Sequence, residues 1–156
     1  MYLTRHTDYS LRVLLYLALH SEGLATIQDI ANSYGISKNH LMKVVHALNK
    51  KGYVETLRGK KGGLRLRLDP GDIRIGILVR QMEPGLALVE CFTPQNACVL
   101  TPVCGLKGIL ALGLEAFLGA LDQYTLQDVL PDRFEPQLIQ LLQLNDTGDI
   151  GSEGAT

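Results

Sequence analysis

The sequence lacks any run of about 18 consecutive apolar residues, so it offers no candidate for a membrane-spanning helix. The apolar stretch near its start, MYLTRHTDYSLRVLLYLALHSEG, is broken by Arg12 and His20, and no small-residue cleavage site comes after it. It reads as an amphipathic or buried helix rather than a signal peptide. The expected location is the cytoplasm, where thiols stay reduced. A glycine-rich phosphate loop after a strand, a nucleophile elbow and a histidine-rich metal motif are all missing, which argues against an enzyme. Histidine stops early: His6, His20, His40 and His46 all lie in the first third of the chain. There is no internal repeat. Cysteine is scarce, and Cys91, Cys98 and Cys104 share one stretch, ECFTPQNACVLTPVCGLK, with no fourth thiol anywhere.

What is present is ordinary in bulk. The chain has 156 residues, 46% hydrophobic and 20% charged, enough for one domain or for two small units sharing a core. The net charge of −1 hides an asymmetry. Residues 1–68 hold eleven Lys and Arg against four Asp and Glu, net +7; residues 69–156 hold four against twelve, net −8. A basic first half and an acidic second half suggest that only the first meets a polyanion.

The first half carries a recognisable order of elements. Leu11, Leu14, Leu15 and Ala18 recur at helical spacing in a first helix over Thr7–His20, with Thr7 as its expected cap and Asp8 at its positive end. Thr26-Ile-Gln-Asp29 reads as a capping box opening a second helix, Ile27–Tyr34, which Gly35 stops. Ser37 is the expected cap of a third helix running to about Lys51, with Gly52 beyond it. This is the spacing of a helix-turn-helix. Leu41, Val44, Val45 and Leu48 form the inward stripe of the third helix. Lys38, Asn39, His40, Lys43 and His46 lie outside it, as donors suited to phosphates and base edges. Thr26, Gln28 and Ser37 at the two helix starts join the candidate DNA-binding set. Tyr53–Leu57 and Leu64–Leu68 read as strands around RGKKGG, a turn made basic by Arg58, Lys60 and Lys61 and flanked by Arg65 and Arg67. Helix-turn-helix plus basic hairpin describes a winged helix whose wing meets the DNA backbone or minor groove. The expected fold class is mainly α with a small β-hairpin: a winged helix-turn-helix plus a long dimerisation helix.

The second half is expected to divide into a linking helix within 69–82, a cysteine loop over 83–104, and a long helix with further short helices over 105–144. The long helix is placed from about Pro102 to Gln123, with Pro102 in its first turn. Its apolar residues Leu106, Ile109, Leu110, Leu114, Phe117, Leu118 and Leu121 suggest a dimer interface, core burial being the alternative. Thr125 and Asp128 are expected to cap a short helix, and Gln137–Leu144 to form another. The polar tail 145–156 is expected to be disordered.

Three thiols within so short a stretch admit several readings. A disulfide leaves one thiol over and is disfavoured in the cytosol. Structural zinc usually shows shorter Cys-x2–4-Cys knuckles and a fourth Cys or His. An iron–sulfur cluster suits thiolates arriving from longer, proline-shaped loops. It would need a fourth ligand that is not a cysteine of this chain: another side chain, an exogenous thiol or water. Inert thiols, or thiols acting as switches without a metal, stay open on chemistry alone.

The stretches MYLTRHTDYSLRVLLYLA, YGISKNHLMKVVHALNKKGYVETLRGKKGGLRL, IRIGILVRQMEPGLALVEC, CVLTPVCGLKGIL and LDQYTLQDVL together resemble the iron–sulfur-dependent winged-helix transcriptional regulators of bacteria, over about residues 1–130. The likeness is greatest to the nitric-oxide-sensing branch. The resemblance implies a homodimeric repressor of double-stranded operator DNA that carries one cluster per subunit, 4Fe–4S rather than 2Fe–2S, and responds to nitric oxide. It implies Cys91, Cys98 and Cys104 as cluster ligands. Cluster-biogenesis regulators of this type have a histidine where this chain has Lys107, a departure that argues against their ligand set. The nitric-oxide-sensing branch implies instead Asp8 of the partner subunit. The same fold sensing iron supply, cluster status or redox state is the alternative.

Overall fold

The computed structural model describes residues 2–130 and 135–144; the tail expected to be disordered lies outside the described residues. The first helix, α1 (Arg5–Leu19), begins earlier than its apolar spacing suggested. Thr4, not Thr7, is the N-cap: its backbone is extended and its hydroxyl accepts from the Thr7 amide at 3.4 Å. Thr7 is instead fully buried in the first turn. The reason is tertiary, because the carboxylate of Glu83 takes the hydroxyls of both threonines.

The second helix, α2 (Ile27–Tyr34), opens on a complete capping box between Thr26 and Asp29. It stops at Gly35, whose φ of 62° suits a residue without Cβ. Next comes α3 (Lys38–Lys50), preceded by Ser37, which occupies the N-cap position without a side-chain hydrogen bond. Strands β1 (Val54–Leu57) and β2 (Gly63–Leu66) pair antiparallel, from Val54 opposite Leu66 to Leu57 opposite Gly63. Ala25, just before α2, exchanges two backbone hydrogen bonds with Leu64 at 3.0 and 2.7 Å. The hairpin is thereby fixed to the helix-turn-helix. Val13, Leu14 and Leu17 of α1, Ile30 of α2, Leu41, Val44 and Leu48 of α3, and Val54 and Leu64 of the hairpin share one core. The alternation of the hairpin and the helical stripes of α1 and α3 all point to it.

Past a short 3-10 turn at Pro70–Asp72 comes α4 (Ile75–Met82). Ile73 and Leu78 join the main core, whereas Ile75 and Val79 form a smaller cluster with Leu118 of α5 (Gly105–Leu121). Pro102 lies in a separate 3-10 turn, Thr101–Val103, so α5 starts later than expected, with Cys104 at its N-cap. The chain then returns to α4: Ile75 donates to the Tyr124 carbonyl at 2.9 Å and Leu126 to that of Ile73 at 2.8 Å. The Thr125 amide and hydroxyl both donate to Asp128, but they open only a 3-10 turn, Gln127–Val129, rather than a helix. A last helix, α6 (Glu135–Leu141), runs earlier than the 137–144 expected from its apolar spacing, and Leu142 and Leu144 fold back on the main core.

Candidate functional site

On α3 the four inward residues are buried, and Lys38, Asn39, His40, Met42, Lys43, His46, Asn49 and Lys50 are exposed. Thr26 and Gln28 at the start of α2 and Ser37 at the start of α3 are exposed too, as are Arg58, Lys60 and Lys61 in the hairpin turn. Gln28 is engaged with Asn32 at 2.9 Å, and Thr26 is engaged in its own capping box. Arg65 pairs with Glu55 across the hairpin, which leaves the turn cations as the wing's positive tip. The structure thus brings the sequence-selected residues of α3 and the wing to the outside of one winged-helix unit, where donors can meet phosphate and base edges.

The first turn of α1 is a second focus. Asp8 is half-buried and forms an ion pair with Arg12 one turn on, 3.0 Å apart, joined by an Nε hydrogen bond at 3.1 Å. The Arg12 guanidinium also lies 5.8 Å from the centre of the Tyr34 ring at the end of α2. One side chain therefore connects Asp8 to the helix-turn-helix. Beside it, Glu83 accepts from the Thr4 amide at 3.0 Å, the Thr4 hydroxyl at 3.1 Å and the Thr7 hydroxyl at 2.6 Å. Glu83 stands at the end of α4, where the cysteine segment begins. Sequence reading missed both Glu83 and Tyr34. Nothing local marks Glu83, since its partners lie 76 and 79 positions earlier.

The cysteines are all unpaired; Cys98 is exposed, and Cys91 and Cys104 are half-buried. Cys91 lines an open cavity of about 530 Å³ together with Phe92, Lys107, Ala111 and Glu115. Cys104 stands at the N-cap of α5, and Cys91 lines the cavity with residues from that helix's first three turns. The loop between is braced by the Asn96 amide on the Thr101 hydroxyl at 2.9 Å and by the Ala97 amide on Glu90 at 2.9 Å. Among the described residues, no three His, Cys, Asp or Glu side chains are gathered around one point as a single metal ion requires. Three free thiols along one braced loop are donors of the type an iron–sulfur cluster takes. Lys107, in the cavity, has no lone pair to give while protonated.

Comparison with known proteins agrees with this architecture. A family model described as Rrf2, iron-dependent transcriptional regulator, matches residues 3–132. The chain is 56% identical over 132 residues to the HTH-type transcriptional regulator NsrR of Bacillus licheniformis, covering 83% of this chain and 92% of that one. It is 50% identical over 148 residues to NsrR of Bacillus subtilis, covering 94% and 100%. Among solved structures, T. potens IscR superposes with a TM-score of 0.70 at 27% identity, covering 88% of this chain and 91% of that one. CymR, the global cysteine regulator of B. subtilis, shares the fold with a TM-score of 0.66 at 24% identity, covering 83% and 95%. A mainly helical winged-helix unit with a basic outer face, matched over most of its length to regulators of transcription, leaves one assignment: the chain belongs to the Rrf2 family of iron-dependent transcriptional regulators.

Proposed function

We propose that this chain is an iron–sulfur-dependent repressor that binds operator DNA as a homodimer and releases it when nitric oxide reacts with the cluster. The observation that carries the reading is the joining, in one chain, of an exposed basic winged-helix face with three unpaired thiols in a single braced loop. The relatives named NsrR supply the signal in this reading. Residues 1–68 meet DNA, 69–82 link, 83–104 hold the cluster, and 105–144 supply the dimerisation helix and the C-terminal helices. Cys91, Cys98 and Cys104 hold a 4Fe–4S cluster, one per subunit, with Asp8 of the partner subunit as the fourth ligand. When bound, the cluster supplies iron that takes nitric oxide.

The remaining work belongs to the chain's own residues. In this reading Asp8 has two candidate partners, the partner subunit's cluster and Arg12 of its own helix, with which it forms an ion pair at 3.0 Å. Arg12 in turn faces Tyr34, so a change of partner at Asp8 is felt where α2 ends. Two recognition helices read DNA when about one helical turn apart, and ligation across the dimer restrains that spacing.

Native mass spectrometry of the anaerobically purified dimer tests the proposal. The expected result is a mass excess of one 4Fe–4S cluster per subunit and loss of DNA binding on titration with nitric oxide. Asp8→Ala is expected to lose the cluster more readily and to blunt the nitric oxide response. A wild-type response with full cluster content in Asp8→Ala would remove Asp8 from the mechanism. A bare polypeptide mass after anaerobic reconstitution would point instead to thiols acting by their own chemistry.

A further inference from the structure

Between α1 and α3 lies a cleft of about 250 Å³ lined by Arg5, His6, Tyr9, His40, Lys43 and Val44. Five of these six side chains carry hydrogen-bond donors, and two of them, Arg5 and Lys43, are basic. The Tyr9 and His40 rings meet across the cleft, 6.4 Å between centroids. Arg5, His40 and Lys43 are exposed. Among the described residues, ion pairs join Arg12 to Asp8, Arg65 to Glu55 and Arg80 to Asp122, and none involves Arg5 or Lys43. Asp8, the acid nearest to Arg5 in sequence, is turned to Arg12. The cleft is thus a concave, uncompensated positive site.

Its position on the fold matters. With Leu41, Val44, Val45 and Leu48 pointing inward, Asn39, Lys43, His46 and Lys50 form the outermost line of α3, and His40 lies to the side facing α1. Lys43 belongs to both the outer face and the cleft. When α3 enters a major groove, the groove's wall, a row of phosphates, runs along that edge. We propose that the cleft formed by Arg5, His6, Tyr9, His40 and Lys43 receives a backbone phosphate of the DNA beside the recognition helix. The inference rests on the DNA-binding reading and extends the interface to α1, the helix that also carries Asp8. Arg5 supplies a forked guanidinium, Lys43 a point charge, and Tyr9 a neutral donor, a set matched to a phosphodiester.

The test uses the anaerobically purified full-length protein and fluorescence anisotropy on two duplexes across a salt series. One duplex has a mixed sequence; the other is selected by the wild-type protein from a random pool. Arg5→Ala is expected to weaken binding to both by about tenfold and to lower the slope of log affinity against log salt by about one. Arg5→Lys is expected to restore most of the affinity. Asn39→Ala, on the outer face, is expected to weaken only the selected duplex. Arg5→Ala with unchanged circular dichroism, affinity and salt slope would overturn the cleft while leaving DNA binding intact. Loss confined to the selected duplex would also overturn it, since a phosphate contact carries no sequence information. A wild-type protein that binds neither duplex would sink the DNA-binding reading itself.

Discussion

The hydroxyl of Tyr34 is buried and has no hydrogen-bond partner among the described residues. Burial pushes its pKa up to about 12, against a partial opposing pull from the Arg12 guanidinium. A phenol whose folded pKa lies above its ordinary value of 10.0 supports the fold below that value, and the support is lost as pH rises toward about 12. A buried donor with no partner also carries a desolvation cost at neutral pH. Tyr34→Phe is therefore expected to leave stability at pH 8 unchanged or raised by about 1 kcal/mol, and to move alkaline unfolding to higher pH. Urea melts at pH 8 and pH 11 check both; a clear loss at pH 8 would mean that the hydroxyl is satisfied. At this scale the sequence was readable where a residue's partners are near neighbours. The Thr26–Asp29 capping box was found from four letters. The Thr4–Thr7 pair was misassigned because a carboxylate from the far end of α4 decides which threonine caps and which turns inward.

Packing of α4 on α5 shows elements constraining one another. Gly76 is buried, and a Cβ there would overlap the Asp122 carboxylate and lie 2.8 Å from the Asp122 backbone nitrogen. Asp122 holds Arg80 of α4 through two hydrogen bonds at 2.6 and 2.8 Å, and the Arg80 hydrogen bond keeps its carboxyl below the usual range. Alanine at a helical glycine gains about 1 kcal/mol of intrinsic propensity. Overpacking costs about 1–3 kcal/mol, and although the Asp122 carboxylate can swing aside, its backbone nitrogen cannot. Gly76→Ala is therefore expected to destabilise by up to about 2 kcal/mol net, read as a lower urea midpoint, with a midpoint above wild type as the refuting result. Glu83 works at the same scale in the other direction, tying α1 to the beginning of the cysteine segment. The amphipathic helices were legible from periodicity. The start of α5 was not, because Pro102 is as well suited to a short turn before a helix as to the helix's own first turn.

For the whole molecule, α5 presents two apolar faces. Leu118 is buried against α4, with Leu114, Phe117 and Leu121 beside it. Leu106, Ile109 and Leu112 face outward at 59%, 67% and 72% exposure. Cβ atoms built on Gly105, Gly108 and Gly113 would meet nothing within 4 Å, so this chain alone does not require glycine there. A contiguous exposed apolar face of this kind marks an interaction surface. In the proposed homodimer this face is the interface, and Ile109→Glu is expected to give a monomer in light scattering and to weaken DNA binding. A dimer of wild-type affinity in that variant would place the interface elsewhere.

Sequence by itself determined what depends on neighbours within about two helical turns: the helical stripes, the capping box, the glycine stops, the basic turn of the wing and the concentration of thiols in one loop. These are set by backbone geometry and side-chain period, which act locally. Tertiary structure alone decided that Glu83 grips the start of α1, that Arg12, paired locally with Asp8, also reaches Tyr34, and that α5 has one face packed and one open. It alone made a positive cleft of residues from α1 and α3. Each of these joins side chains far apart in the chain, and only the closing of the shared core brings them within hydrogen-bonding and Coulombic range.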